Sequence, residues 1–177
     1  MTKQEKRKVN KAYNKSYKGV LTSLYNNYVK MLEREGFEDI VPQREVFEQW
    51  CDDHKYNWFY TVYERSGFKK NLKPRLYRIG GGYSLENIEL LFAKDAPKNG
   101  KTVVVTIKGK EYFYPSAGKA AKALGLSVEA VKKGATGINK TRCCGLRYGD
   151  DEDDLRYTYS VLERYNFAQQ FTEKRNS

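Results

Sequence analysis

The stretch Lys73–Leu91, KPRLYRIGGGYSLENIELL, constrains this chain more than any other. Pro74 opens it, and a proline has a fixed φ and no N–H, so it cannot sit inside a helix. Gly80-Gly81-Gly82 supplies a tight turn of the kind that glycine alone makes without steric cost. Ser84 then stands ahead of Leu85-Glu86-Asn87, which reads as a serine N-cap on a short helical turn. The expectation is a strand, a glycine turn and a short helix that carries Asn87 inward.

The flanking segments are helical upstream. Val20, Leu21, Leu24, Tyr28, Met31 and Leu32 recur at helical spacing and Gly36 closes the run, so the spacing predicts an amphipathic helix over 20–35. A second helix is expected from about Gln43 to Asp53 behind Pro42, with Val46, Phe47 and Trp50 on its apolar side. A third is expected from about Asn57 to Ser66, presenting Trp58, Phe59, Val62 and Tyr63, with Gly67 closing it.

Downstream, Lys94–Lys101 carries the Pro, Gly and Asn of a linker. Thr102–Ile107 and Glu111–Tyr114 follow as β-rich runs joined by Lys108-Gly109-Lys110, a hairpin signal. Ser116 caps a short helix bearing Ala120, Ala121 and Leu124. Gly125 turns the chain, and Ser127 caps a second helix bearing Val128, Val131 and Lys132. Small alanines between two serine-capped helices and a glycine turn read as a helix-turn-helix. A last helix is expected over about Leu155–Thr172, bearing Tyr159, Leu162, Tyr165 and Phe171. The fold class expected is α+β, divided as 1–93, a linker 94–101, a helix-turn-helix domain 102–149, and an acidic run with a C-terminal helix over 150–177.

The formal net charge of +11 directs attention to an anionic partner, nucleic acid first. The 15 tyrosines and 8 phenylalanines are interleaved with Lys and Arg; rings of this kind stack on bases or, for the majority here, fill the core. No apolar run is long enough for a membrane span, and the basic N-terminus has no apolar signal segment. Three cysteines, two of them adjacent, make no disulfide framework, so a cytoplasmic protein with reduced thiols is expected.

Residues 1–18 carry seven basic side chains against Glu5 alone, among them Lys8, Lys11 and Lys15. They read as a basic arm or frayed helix suited to a phosphate backbone, or equally as a solvated face. His54 reads as a surface imidazole, and Asp52 with Asp53 as solvated acids at a helix end. Asp150–Asp154 reads as a solvated acidic run whose charge suits the start of the last helix.

Two resemblances rest on these residues. Tyr83-Ser84-Leu85 and Asn87, with the opening LYNNYVKMLEREG, resemble the phage HNH endonucleases of the free-standing homing type. The resemblance implies a ββα-metal fold, with Asn87 at the middle asparagine of the catalytic motif. Tyr77 and Gly80 stand where that family has acids, and Phe92, Ala93 and Ala96 replace its Thr-Trp and closing Asn or His. Hard divalent cations need oxygen ligands and water activation needs a base, so the motif is degenerate.

Tyr114-Pro115-Ser116, Ala120-Ala121, Leu124-Gly125 and Cys144-Gly145-Leu146-Arg147-Tyr148 resemble the modular DNA-binding repeat appended to homing endonucleases. That likeness makes Ser127, Glu129, Lys132 and Lys133 candidate major-groove contacts. Lys119, Lys140, Thr141 and Arg142 become candidate phosphate contacts. The function implied is an inactive, HNH-derived DNA-binding protein. It would act as a regulator, or as an anti-defence inhibitor that occupies nucleic acid or a host or phage nucleoprotein defence complex. The alternatives are an active endonuclease using Mg²⁺ or Mn²⁺, and a protein that binds a host protein directly; otherwise no cofactor or metal ligand is expected.

Overall fold

The computed structural model describes residues 2–79, 82–97, 102–141 and 143–176, with side chains through residue 170. The chain divides into two compact units, Met1–Arg78 with Gly82–Lys94, and Ile79–Gly81 with Asp95–Ser177. The chain passes from the first unit to the second between Lys94 and Asp95, and the C-terminal helix belongs to the second unit. Residues 98–101 of the expected linker, and Gly80 and Gly81 of the glycine turn, lie outside the described residues.

In the first unit α1 spans Lys3–Tyr13, α2 Tyr17–Glu35, α3 Arg44–Asp53 and α4 Tyr56–Arg65. Strand β1 (Pro74–Arg78) pairs antiparallel with β2 (Ile88–Phe92), Tyr77 opposite Glu89. Val20, Leu24, Tyr28 and Leu32 form the buried stripe of α2 at every fourth residue. Phe47 and Cys51 of α3, Tyr56 and Phe59 of α4, and Ile88, Leu90 and Leu91 of β2 are buried with it. The second helix thus starts at Tyr17, three residues before its apolar stripe, because the Ser16 hydroxyl accepts from the Gly19 N–H at 3.1 Å.

The basic N-terminus, expected as an arm or a frayed helix, is a capped helix. Thr2 and Glu5 close a reciprocal capping box at its start. None of the side chains of α1 is buried. It is held by its C-terminal end, where Gly19 approaches so closely that a Cβ there would stand 1.8 Å from the Tyr13 carbonyl oxygen.

The segment read as strand, turn and short helix is a hairpin. Leu85–Asn87 makes one 3₁₀ turn in the connection, and the chain then returns as β2. After β2 the chain turns over 93–95, and no helix occurs before the next strand among the described residues.

The second unit holds a three-stranded antiparallel sheet in the order β4-β3-β5, from Val103–Ile107 (β3), Lys110–Tyr114 (β4) and Gly145–Tyr148 (β5). Helices α5 (Ala117–Leu124) and α6 (Val128–Ala135) lie between β4 and β5 in sequence, and α7 spans Asp151–Asn176. The strand β5 was not expected, since four residues are too few to show an alternation. Helix α7 begins four residues before the expected Leu155, and the acidic run is the reason. Asp150 Oδ1 accepts from the Asp153 N–H at 2.9 Å, and Asp153 Oδ2 accepts from the Asp150 N–H at 3.0 Å. The run is therefore only partly solvated. Asp153 and Asp154 are buried, Asp153 in a two-pronged pair with Arg147 and Asp154 accepting from the Thr102 N–H at 2.9 Å.

Arg147 also reaches Glu111 at 3.0 Å, so one guanidinium links β5, β4 and the start of α7. Its hydrogen bonds hold the Asp153 carboxyl below the usual carboxylate range. A lowered folded value contributes stability above the unfolded value near 3.8, and that contribution is lost as the pH falls through the folded value. We expect Asp153→Asn to cost about 2 kcal/mol at pH 7. Urea titrations at pH 7 and at pH 3 check this: the gap between variant and parent should narrow in acid.

Candidate nucleic-acid interface

The helical pair of the second unit rests on the sheet through small side chains. Val103 and Val105 of β3, Ala120 and Ala121 of α5 and Val131 of α6 form one buried cluster. Ser116 caps α5, accepting from the Lys119 N–H at 3.3 Å, and Ser127 caps α6, accepting from the Ala130 N–H at 3.1 Å. Gly125 takes the left-handed conformation at φ 67° between them, where a side chain would be strained. The C-terminal half of α6 sits so close to β5 that a Cβ on Gly134 would stand 2.7 Å from Leu146 Cδ1.

With Val131 and Gly134 facing inward, α6 presents Val128, Glu129, Lys132, Lys133 and Thr136 to solvent. This is a helix face with two cations and one acid. Glu129 pairs with Lys133 at 3.9 Å, one helical turn away. Such an exposed pair is weak, of order 0.3–0.5 kcal/mol, so it yields readily to a stronger anion. Lys119 is exposed in the first turn of α5, and Lys140 is exposed beyond α6.

Two of the expected contacts also have structural uses. The Ser127 hydroxyl is committed to the cap, and Thr141 packs against α6, its Oγ1 standing 2.9 Å from where a Cβ of Gly134 would be. Arg142 lies outside the described residues. Thr136, which the sequence reading passed over, shares the solvent face, and the spacing Val128, Lys132, Thr136 carried that signal.

At the hairpin of the first unit, Asn87 is half-buried and donates from Nδ2 to Ser84 Oγ at 3.0 Å. It leans on Gly82, where a Cβ would stand 2.3 Å from Nδ2. The Ser84 hydroxyl thus serves Asn87 rather than capping the turn's backbone. Tyr77 is 8% exposed. Across from it, burial pushes the half-buried Glu89 carboxyl up, and the charge of His54 partly offsets this.

His54 is not a surface imidazole. It is half-buried, stacks on Trp50 at 4.1 Å between ring centroids, and its Nδ1 lies 2.7 Å from the Trp50 carbonyl oxygen. Asp52 lies 3.4 Å from the Tyr17 hydroxyl and Asp53 accepts from Gln49, so the adjacent acids serve separate partners. Among the described residues no group of three or more His, Cys, Asp or Glu side chains is placed to hold a metal ion.

Of the N-terminal lysines, Lys11 and Lys15 line a cleft of the first unit, whereas Lys8 is exposed and not part of its lining. Among the described residues no helix is long and apolar enough to cross a membrane. No family model, curated protein or solved structure matches the chain.

The close approach of Asn87 to Gly82 gives a test of the hairpin. Gly82→Ala should cost about 1–3 kcal/mol by collision. In an Asn87→Ala background the same change should cost less than half of that, because the colliding amide is gone. Chemical denaturation of the two single variants and the double variant measures the coupling.

Proposed function

We propose that this chain is a DNA-binding protein whose second unit lays α6 along the major groove of duplex DNA. One observation carries the reading: two short, serine-capped helices packed on a small sheet leave one face of the second helix, Val128-Glu129-Lys132-Lys133-Thr136, open to solvent. A helix of this kind fits a major groove about 12 Å wide, where lysines reach guanine O6 and N7 and a threonine or valine methyl meets the thymine methyl. Lys119 and Lys140 then supply phosphate contacts that set the register.

The first unit, in this reading, descends from an HNH-type nuclease and serves as a scaffold. Tyr77 is buried where the family has an acid, and the Asn87 amide is spent on Ser84. A neutral amide is a poor base and a weak ligand for a hard cation. Such a protein regulates by occupying its site, or blocks a nucleoprotein defence complex by competing for the nucleic acid, in a cytoplasm that keeps Cys51, Cys143 and Cys144 reduced.

A combined shift and cleavage assay on mixed-sequence duplex, with and without Mg²⁺ or Mn²⁺, tests this. The expected result is a salt-sensitive shift without nicking, and Lys132→Gln with Lys133→Gln should weaken it by about tenfold or more. Metal-dependent nicking that disappears in Asn87→Ala would overturn the inactive reading. A shift indifferent to salt would overturn the DNA reading itself.

A further inference from the structure

The first unit carries a basic feature that the helix-turn-helix reading leaves unused. Beside β1 lies a cleft of about 540 Å³ whose lining includes Arg7, Lys11, Lys15, Lys70, Lys73 and Arg75, and no carboxylate. Four elements bring these six cations together. Helix α1 contributes Arg7 and Lys11, with Asn10 and Asn14 on the same stripe at spacings of three, one and three residues, which is one helical face. Lys15 comes from the joint to α2, Lys70 from the turn after α4, and Lys73 and Arg75 from the start of the hairpin.

Among the described residues none of the six forms an ion pair with a carboxylate. The Lys15 ammonium lies over the Phe68 ring at 4.9 Å, which leaves its charge uncompensated. Six like charges around one cleft repel one another, and an anion with repeated charges removes that repulsion. The helix that walls the cleft buries no side chain, so nothing apolar accounts for its charged stripe.

Size and continuity select the anion. A second cleft of about 390 Å³, lined by Ser23, Asn27 and Tyr28 of α2, shares Lys73 and Arg75 with the first. The basic surface is therefore a track along β1 rather than one socket. A duplex is too wide to enter either cleft, while a single strand, with a phosphate at each nucleotide, follows such a track. We propose that the first unit holds a single-stranded nucleic acid by its phosphodiester backbone along this track, independently of base sequence and of α6. The amides of Asn10 and Asn14 and the Ser23 hydroxyl supply neutral contacts to sugar and phosphate.

Fluorescence anisotropy on the full chain with labelled dT12 and rU12 tests this, each with tripolyphosphate as competitor. Arg7→Gln with Lys11→Gln changes exposed side chains on a helix that buries none, so folding is kept; Lys73→Gln with Arg75→Gln tests the shared part of the track. Each pair should weaken dT12 by about tenfold and lower its salt slope by about 1.4, roughly 0.7 for each phosphate no longer neutralised. Lys132→Gln with Lys133→Gln should leave dT12 binding unchanged, which separates this site from the duplex site. Weaker rU12 than dT12 binding would assign the track to DNA, and equal binding to either strand; both support it. Parental dT12 affinity in both cleft variants would overturn the proposal. So would failure of dT12 to bind, or displacement of dT12 by tripolyphosphate at equal phosphate concentration.

Discussion

The first unit depends on tyrosine hydroxyls that donate to backbone carbonyls far away in sequence. Tyr56 donates to the Tyr17 carbonyl at 2.8 Å and Tyr60 to the Lys15 carbonyl at 3.1 Å, fixing the joint between α1 and α2 against α4. Tyr28 donates to the Tyr83 carbonyl at 2.7 Å, fixing the hairpin connection against α2. Burial pushes all three phenols above their ordinary value, so they stay neutral donors at any physiological pH. Each bond contributes only about 1 kcal/mol net, but a buried carbonyl left without a donor costs about 1–3 kcal/mol. The rings also pack edge to face, Tyr17 on Tyr56 at 4.8 Å and on Tyr60 at 5.1 Å between centroids. These contacts set where α1 leaves the body, and hence where its basic stripe faces.

The second unit reaches the same end with charge. Arg147 ties two strands to the start of α7, and the Asp150–Asp153 box fixes where that helix begins. Tyr157 and Tyr165 of α7 then donate to the carbonyl and the carboxylate of Asp95, at 2.7 and 2.6 Å, so the segment that enters this unit is anchored to its last helix. Both devices leave lysines such as Lys119, Lys132 and Lys140 free of structural duty, whereas Arg147 is consumed by it. Position rather than residue type separates the two groups.

Much of this was legible because local chemistry agreed with the tertiary result. The stripe of α2, the serine caps of α5 and α6 and the turn at Gly125 are short-range signals, and each survives in the structure. Asp154 reads as solvated because composition cannot reveal a partner as distant as Thr102, 52 residues away. His54 reads as exposed because its partner, the Trp50 ring, looks like ordinary core. The short helical turn expected after Ser84 is present as one 3₁₀ turn over Leu85–Asn87, whereas the strand β2 behind it shows only through its pairing with β1. Among the expected contacts, Lys11 and Lys15 fall in the basic cleft, and their neighbours there, Lys70, Lys73 and Arg75, come from a segment more than fifty residues later. No periodicity links residues so far apart.

On the two proposals made above, each unit of the chain offers its own anion-binding surface, built on these fixed frames. Amide hydrogen exchange on the full chain, alone and with saturating duplex carrying a single-stranded overhang, tests it most directly. Added protection is expected in α6 and, separately, in α1 and β1, the second set vanishing when the overhang is removed. Unchanged exchange in both sets with the nucleic acid bound would contradict it.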